Sequence, residues 1–152
     1  MKDDFYRVIK DDPSWQDCLH YFTNPRVNVH LAIMVEPFLS AILNGQKTVE
    51  SRFSKHKIAP YQKANPGDLV LLKRSSGPIV GSFEVGLTDY FTLTPEVLKN
   101  LETTYHMAIA ASAEFWQAQQ TKHYATFLGV KNVQPHSPKP IYKKDPRAWI
   151  VL

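Results

Sequence analysis

The sequence predicts a single α+β domain, a small mixed β-barrel with flanking helices, on three observations. Its 152 residues suffice for one hydrophobic core, and 43% apolar and 21% charged residues are typical of a globular domain. Several strand patterns follow one another between helical segments, which favours a barrel over alternating βαβ units. Gly81 and Gly86 interrupt the longest strand pattern, at places where a barrel strand would bend.

The first 26 residues predict an N-terminal helical extension that packs on a body formed by residues 27–152. Pro13 and Ser14 can begin a short helix, and the apolar residues that follow helical spacing are Trp15, Leu19 and Phe22. We expect the three tryptophans, Trp15, Trp116 and Trp149, to be packing residues because each lies among apolar neighbours.

The body begins with an apolar, β-branched run over residues 27–35, which predicts a buried strand that ends before Glu36-Pro37. A two-turn helix follows, with Leu39, Ile42 and Leu43 on one face, and Gly45 supplies the left-handed position after its last turn. Thr48–Phe53 is then predicted as a strand. Its period of two places three polar residues on one face, namely Thr48, Glu50 and Arg52.

Further along, residues 54–65 form a polar loop that the turn Pro66-Gly67-Asp68 closes. Strands are predicted over 69–74 and 79–91, separated by a turn at Ser75-Ser76-Gly77-Pro78. Thr94-Pro95 begins a helix by its capping chemistry, and a second helix is predicted over 112–120. Residues 124–133 form a strand, 135–146 a basic loop, and 148–152 a buried final strand.

The segment Gly45-Gln46-Lys47-Thr48-Val49-Glu50-Ser51-Arg52 resembles the signature of the ASCH domain family, GxKxxExR, at all four fixed positions. The resemblance extends over roughly residues 29–152, from the first apolar strand to the terminal Trp-bearing strand. It implies a PUA-like β-barrel with a cleft beside the signature, in a superfamily associated with RNA binding and modified nucleobases.

The residue types of this signature have roles of their own. Arg52 offers a planar fork for phosphate or a carboxylate, and Lys47 offers a flexible point charge. Glu50 lies between them, where it can accept from the exocyclic amine of a base or serve as a general base. The alternative is that Glu50 and Arg52 pair with each other and only stabilise the barrel.

The charge distribution predicts a basic rim around this site. Residues 47–74 carry seven cations against Glu50 and Asp68, and residues 122–147 carry six cations against Asp145 alone. If these segments meet in the fold they form a basic face for phosphate, although a solvated surface explains the charge equally well. Tyrosines lie among the cations, as in single-strand binders. The predicted ligand-binding residues are Lys47, Glu50, Arg52, Lys55, Lys57, Tyr61, Lys122, Tyr124, Lys143 and Lys144.

Three functions remain open at this point. The first is binding of RNA, another single-stranded nucleic acid or a nucleotide-like small molecule through this cleft. The second is a hydrolase acting on RNA or on acetylated cytidine, with Lys47 and Glu50 as catalytic residues. Enzymes that resemble this chain place a nucleophilic Thr where it has Glu50, so Thr48 is the further candidate nucleophile. The third is a regulatory module that binds a small anion or metabolite.

Other classes of site lack support in the sequence. The six histidines are scattered and the single Cys18 pairs with none of them, so no metal or cofactor is predicted. A lone cysteine fits a reducing compartment. No apolar run reaches the roughly 20 residues of a membrane span, and Met1-Lys2-Asp3-Asp4 is unlike a signal peptide, so we expect a cytoplasmic protein without membrane contact.

Overall fold

The computed structural model describes residues 1–152 and contains six strands and six helices. The strands are β1 (Val29–Met34), β2 (Val49–Ser54), β3 (Leu69–Arg74), β4 (Ile79–Thr92), β5 (Tyr124–Lys139) and β6 (Trp149–Val151). The α-helices are α1 (Lys2–Ile9), α2 (Leu19–Thr23), α3 (Phe38–Leu43), α4 (Pro95–Tyr105) and α5 (Ala113–Ala118), and a 3-10 helix covers Pro13–Cys18. None of the helices combines the length and the apolar character needed to cross a bilayer.

The six strands form one curled sheet, a half-barrel in the order β2-β5-β4-β3-β1-β6. β1 and β3 pair in parallel and every other neighbouring pair is antiparallel, so the predicted mixed barrel is confirmed. The pairing of β4 with β5 shifts register at three places, the first of them beside Gly81. A Cβ atom at Gly81 would lie 2.9 Å from the Gln134 carbonyl oxygen, so only glycine permits this close approach of the two strands.

Both faces of β1 and β3 are covered, which explains their continuous apolar sequences. One face packs against α3 and the barrel interior, in a cluster that includes Ala32, Met34, Val70 and Leu72. The other face, with Val29, Leu31, Leu69 and Leu71, packs against Phe5, Ile9, Trp15 and Phe22 of the N-terminal segment. The division of the chain at residue 26 into an extension and a domain stays a prediction.

Two elements differ from the sequence-based expectation. Helix α1 precedes the helix expected at Pro13, and β5 continues through Lys139, where a loop was predicted from residue 135. The prolines of this stretch are tolerated because β2 pairs with β5 only as far as Gly129. Beyond that residue β5 pairs with β4 alone, and an unpaired edge can accommodate residues without an N–H.

A polar network lies inside the apolar core. The buried His30 ring contacts the Asp68 carboxylate through Nε2, at 2.8 Å, and its Nδ1 accepts from the Trp149 indole N–H at 3.0 Å. The indole donor requires an unprotonated Nδ1, so the ring is neutral. Burial accordingly lowers the pKa of His30, and burial also lowers the pKa of His136 beneath the N-terminal segment.

We predict that the free energy of unfolding falls as the pH drops below 6.5, the ordinary pKa of histidine. The lowered pKa values of His30 and His136 mean that the unfolded chain binds more protons in this range. Their contribution is therefore fully present above pH 6.5 and is lost as the pH falls toward the folded-state pKa values. Urea unfolding between about pH 8 and about pH 5 measures this slope.

The exposed His56 provides the matched control for this slope. His56→Gln should leave the dependence unchanged, because the ring is already in solvent in the folded chain. A free energy of unfolding that stays constant or rises from pH 6.5 to pH 5 would contradict the assignment of neutral buried histidines.

Candidate functional site

The turn after α3 places Lys47 against the body of the protein. Gly45 adopts φ +85°, the left-handed conformation that ends the helix, and the chain then folds back on it. The Lys47 backbone N–H donates to the Ala41 carbonyl at 2.9 Å, which fixes the direction in which the residue enters the site. The Gly-to-Lys spacing of the signature is thus a requirement of this turn.

Lys47 is a buried cation, with only 2% of its surface exposed. Its Nζ donates to the Ile109 carbonyl at 2.9 Å and lies 3.6 Å from Glu50 Oε1. The same ammonium lies 5.1 Å from the centroid of the Phe38 ring. Burial lowers the pKa of Lys47, and the attraction of Glu50 opposes this effect only in part.

Glu50 links the two cations of the signature. It is 4% exposed, its Oε1 accepts from the Ser51 backbone N–H at 2.8 Å, and its Oε2 lies 3.4 Å from Arg52 Nη2. Glu50 and Arg52 therefore share one face of β2 and form a continuous charged chain with Lys47. The alternative interpretation, in which Glu50 and Arg52 pair with each other to stabilise the barrel, therefore describes part of this arrangement.

Arg52 joins the two ends of the curled sheet. β2 is the strand at one end and β6 the strand at the other, and β2 pairs with β5 only. Arg52 Nη2 donates to the Ile33 carbonyl of β1 at 3.0 Å, and its guanidinium lies 5.0 Å from the centroid of the Trp149 ring of β6. We call this junction the seam of the half-barrel.

A hollow of about 160 Å³ opens at the seam beside the charged chain. We call it the signature hollow, and its lining residues are Ile33, Met34, Val35, Phe38, Lys47, Glu50, Ser51 and Arg52. The Arg52 side chain retains 21% of its exposure here. Ser51 Oγ is the single buried side-chain polar atom without a hydrogen-bond partner, which costs about 1–3 kcal/mol unless water or a ligand reaches it.

Thr48 does not join the signature hollow, contrary to the alternation expected from sequence. β2 begins only at Val49, and Thr48 is an exposed residue whose backbone N–H donates to the Ala108 carbonyl at 2.8 Å. Because it lies before the strand, the period of two does not govern its direction. The structure offers no support for Thr48 as a nucleophile at this site.

Tyr61 also lies elsewhere than expected. It is only 8% exposed and packs against the rings of Tyr90 and Tyr124, with centroids 5.5 and 5.1 Å away. The ring gains more free energy by packing against β4 and β5 than it would in solvent on a polar loop. Tyr61 therefore supports the loop from within and presents no stacking surface.

The remaining predicted cations divide between three regions. Lys55 and Lys57 are exposed on the loop after β2, and Lys57 Nζ lies 5.6 Å from the centroid of the Tyr124 ring, so the two basic segments do meet. Lys122 lines a cleft of about 780 Å³ beside α4 and α5. Lys143 donates to the Asp145 carbonyl, and Lys144 lines a separate hollow beside α1.

Sequence reasoning missed Arg147 as a site residue. It lines a second hollow of about 170 Å³, which Arg52 also lines, on the side of the loop after β2. We call this space the distal hollow. The signal for Arg147 was its position in the basic segment two residues before the strand that carries Trp149. No group of three or more His, Cys, Asp or Glu side chains is arranged to hold a metal ion.

Comparison with known proteins identifies the family. The model of the ASCH domain matches residues 33–144, which contain the signature and strands β2 to β5 but not β6. The chain belongs to the ASCH domain family. A search of curated protein sequences finds no match.

Solved structures agree with this ASCH assignment. The crystal structure of ASCH from Zymomonas mobilis superposes with a TM-score of 0.66 at 16% identity, covering 82% of this chain and 87% of that one. Two structures of single-residue mutants of the same protein give TM-scores of 0.65 at 16% identity, with the same 82% of this chain covered, and 87% and 89% of theirs. At this identity the likeness establishes the ASCH fold.

We predict that Glu50→Ala lowers the free energy of unfolding of this ASCH domain by about 3–5 kcal/mol. The change removes the only carboxylate beside the buried Lys47 ammonium and leaves that charge uncompensated. Urea unfolding at neutral pH measures the effect. Glu114→Ala, at an exposed position in the first turn of α5, is the control and should cost at most about 1 kcal/mol. A Glu50→Ala effect as small as the control would show that Glu50 does not compensate a buried charge.

Proposed function

We propose that this ASCH domain binds single-stranded RNA, with one base entering the signature hollow and the exposed cations of the rim contacting the backbone. The observation that carries the proposal is the convergence of Lys47, Glu50 and Arg52 on one open hollow at the seam. The family is generally associated with nucleic acids, which supports the same class of ligand.

The chemistry of the hollow suits the edge of a base. Such an edge presents donors and acceptors side by side, and here the Glu50 carboxylate accepts while the Arg52 guanidinium donates. Lys47 lies deeper and holds Glu50 in place through the 3.6 Å contact. Phe38 and Met34 supply the apolar wall against which a planar ring can lie.

The size of the hollow limits the ligand. A volume of about 160 Å³ lies below the roughly 300–1,000 Å³ of sites that enclose a drug-sized molecule. The hollow therefore takes a single planar group, and the rest of the ligand must lie outside it. A polymer meets this condition because its neighbouring nucleotides can follow the rim formed by Lys55, Lys57 and Tyr124.

Fluorescence anisotropy with a labelled single-stranded RNA of roughly ten nucleotides tests the proposal. Binding should weaken steeply with salt. The double change Lys55→Ala, Lys57→Ala should lower the slope of log affinity against log salt by about 0.7 for each phosphate that the protein no longer neutralises. Arg52→Gln should weaken RNA binding more than this double change does. Urea unfolding checks that the Arg52→Gln variant is folded.

Lys10→Ala is the matched control, since Lys10 is an exposed cation in the N-terminal segment, after α1. It should leave both affinity and salt slope unchanged. Absence of RNA binding even at low salt would refute the proposal. Binding of a free nucleotide without binding of RNA would favour a small-anion or metabolite module instead.

A hydrolase acting on RNA or acetylated cytidine is the second candidate, and the state of Lys47 favours it. Burial lowers the pKa of this lysine, so its neutral form becomes available at a lower pH than in solvent, beside the Glu50 carboxylate at 3.6 Å. Lys47 would act as the proton acceptor and Glu50 would orient it.

Lys47→Met tests this candidate because methionine keeps the packing while it removes the ionisable group. Turnover of single-stranded RNA or acetylated cytidine should rise with pH in the unmodified protein as Lys47 loses its proton, and should be abolished in the variant while the fold persists. Turnover that survives in Lys47→Met would remove Lys47 from the mechanism, and no turnover of either substrate would reject the hydrolase.

A further inference from the structure

The distal hollow carries positive charge without an acidic side chain in its wall. Arg52 and Arg147 line it together with apolar residues that include Phe53, Ile58, Pro60 and Trp149. Two guanidinium groups therefore line a space of about 170 Å³ whose remaining wall is mostly apolar. The carboxylates that pair with these arginines, Glu50 and Asp145, are not part of this wall, so an anion that enters the hollow meets the arginines without a facing carboxylate.

Arg52 has hydrogen-bonding capacity left for such an anion. All of its contacts with the Ile33 carbonyl, Met34 sulfur and Glu50 are made by Nη2. A guanidinium carries five N–H donors, and those on Nε and Nη1 have no acceptor in the protein. The Nη2 contact with the Ile33 carbonyl and the cation–π contact with Trp149 hold the guanidinium at the seam, so these donors are preorganised.

Arg147 is held by a carboxylate of its own segment. Its Nε donates to Asp145 Oδ1 at 3.0 Å and to Oδ2 at 2.9 Å, and its Nη2 also contacts Oδ2. Arg147 lowers the pKa of Asp145 to about 2, which shows how directly the two groups interact. A carboxylate in this position presents the same pair of oxygens to the guanidinium as a phosphate would.

We propose that the distal hollow is a phosphate subsite, in which Arg52 and Arg147 together hold a nucleotide phosphate and Asp145 occupies Arg147 until that phosphate binds. Arg52 lines both hollows, so a base in the signature hollow and its phosphate in the distal hollow share this one residue. The assignment of the base rests on the function proposed above, whereas the phosphate subsite stands on its own geometry.

NMR of the arginine Nε–H groups, during titration with inorganic phosphate alone, tests the subsite directly. The signals of Arg52 and Arg147 should shift together and saturate. Arg7 is the internal control, because it is also an exposed arginine paired with an aspartate, Asp4, but lies on α1 away from either hollow. If Arg52 and Arg147 shift no more than Arg7, the proposal is wrong.

Two variants separate the roles of Arg147 and Asp145. Arg147→Gln should weaken phosphate binding about tenfold by removing one of the two cations. Asp145→Asn should tighten it about threefold, since an exposed ion pair of this kind competes only modestly. The matched controls are Arg7→Gln and Asp4→Asn, which should change nothing. Weaker phosphate binding in Asp145→Asn would overturn the competing role of Asp145.

The same variants distinguish this proposal from RNA binding. Phosphate binding at Arg52 and Arg147 in a protein that fails to bind RNA would leave the subsite standing and refute the proposed function. If RNA binding is unchanged in Arg147→Gln and neither arginine responds to phosphate, the proposed RNA binding stands and the phosphate subsite is refuted. In the expected case, nucleoside monophosphates bind more tightly than nucleosides, and Arg147→Gln reduces the difference about tenfold while Arg52 keeps the remainder.

Discussion

The seam of the half-barrel depends on one side chain. The six strands curl until β2 approaches β1 and β6, yet no backbone pairing joins these two ends of the sheet. Arg52 crosses the gap by donating to the Ile33 carbonyl and by a cation–π contact with Trp149. Because a side chain closes the sheet where a backbone ladder would fill the space, open volume remains on both sides of it. The same residue is therefore part of the scaffold and part of the candidate site.

The charged chain behind the seam explains why a buried lysine is tolerated. An isolated ammonium in a protein interior is strongly unfavourable, but Glu50 and the Ile109 carbonyl both contact Lys47 Nζ. Lys47, Glu50 and Arg52 together carry one net positive charge in a largely desolvated setting. That excess charge, combined with donors left free on Arg52, gives the seam a preference for polar or anionic groups over apolar ones.

The surrounding packing determines where the protein is open. The N-terminal helices cover one face of β1 and β3, α3 covers the other, and α4 and α5 pack over Val49 and Phe53 of β2. These three clusters bury the sheet on both sides, but no backbone ladder joins β2 to β1 or β6. Both hollows that Arg52 lines are found at the seam, beside elements that are packed into these clusters. A site supported in this way keeps its geometry without ligand.

Local chemistry in the sequence determined much of this ASCH domain. Gly45 predicted the turn that presents Lys47 and Thr94 predicted the start of α4, because each depends only on nearby backbone conformation. The glycines of β4 predicted where its pairing with β5 shifts register. Tertiary structure alone decided that Tyr61 is buried, that Thr48 lies outside the signature hollow, and that Arg147 approaches Arg52 from 95 positions along the chain. These outcomes depend on how a curled sheet brings its two ends together. Local sequence patterns do not predict such contacts, because the residues involved are far apart along the chain.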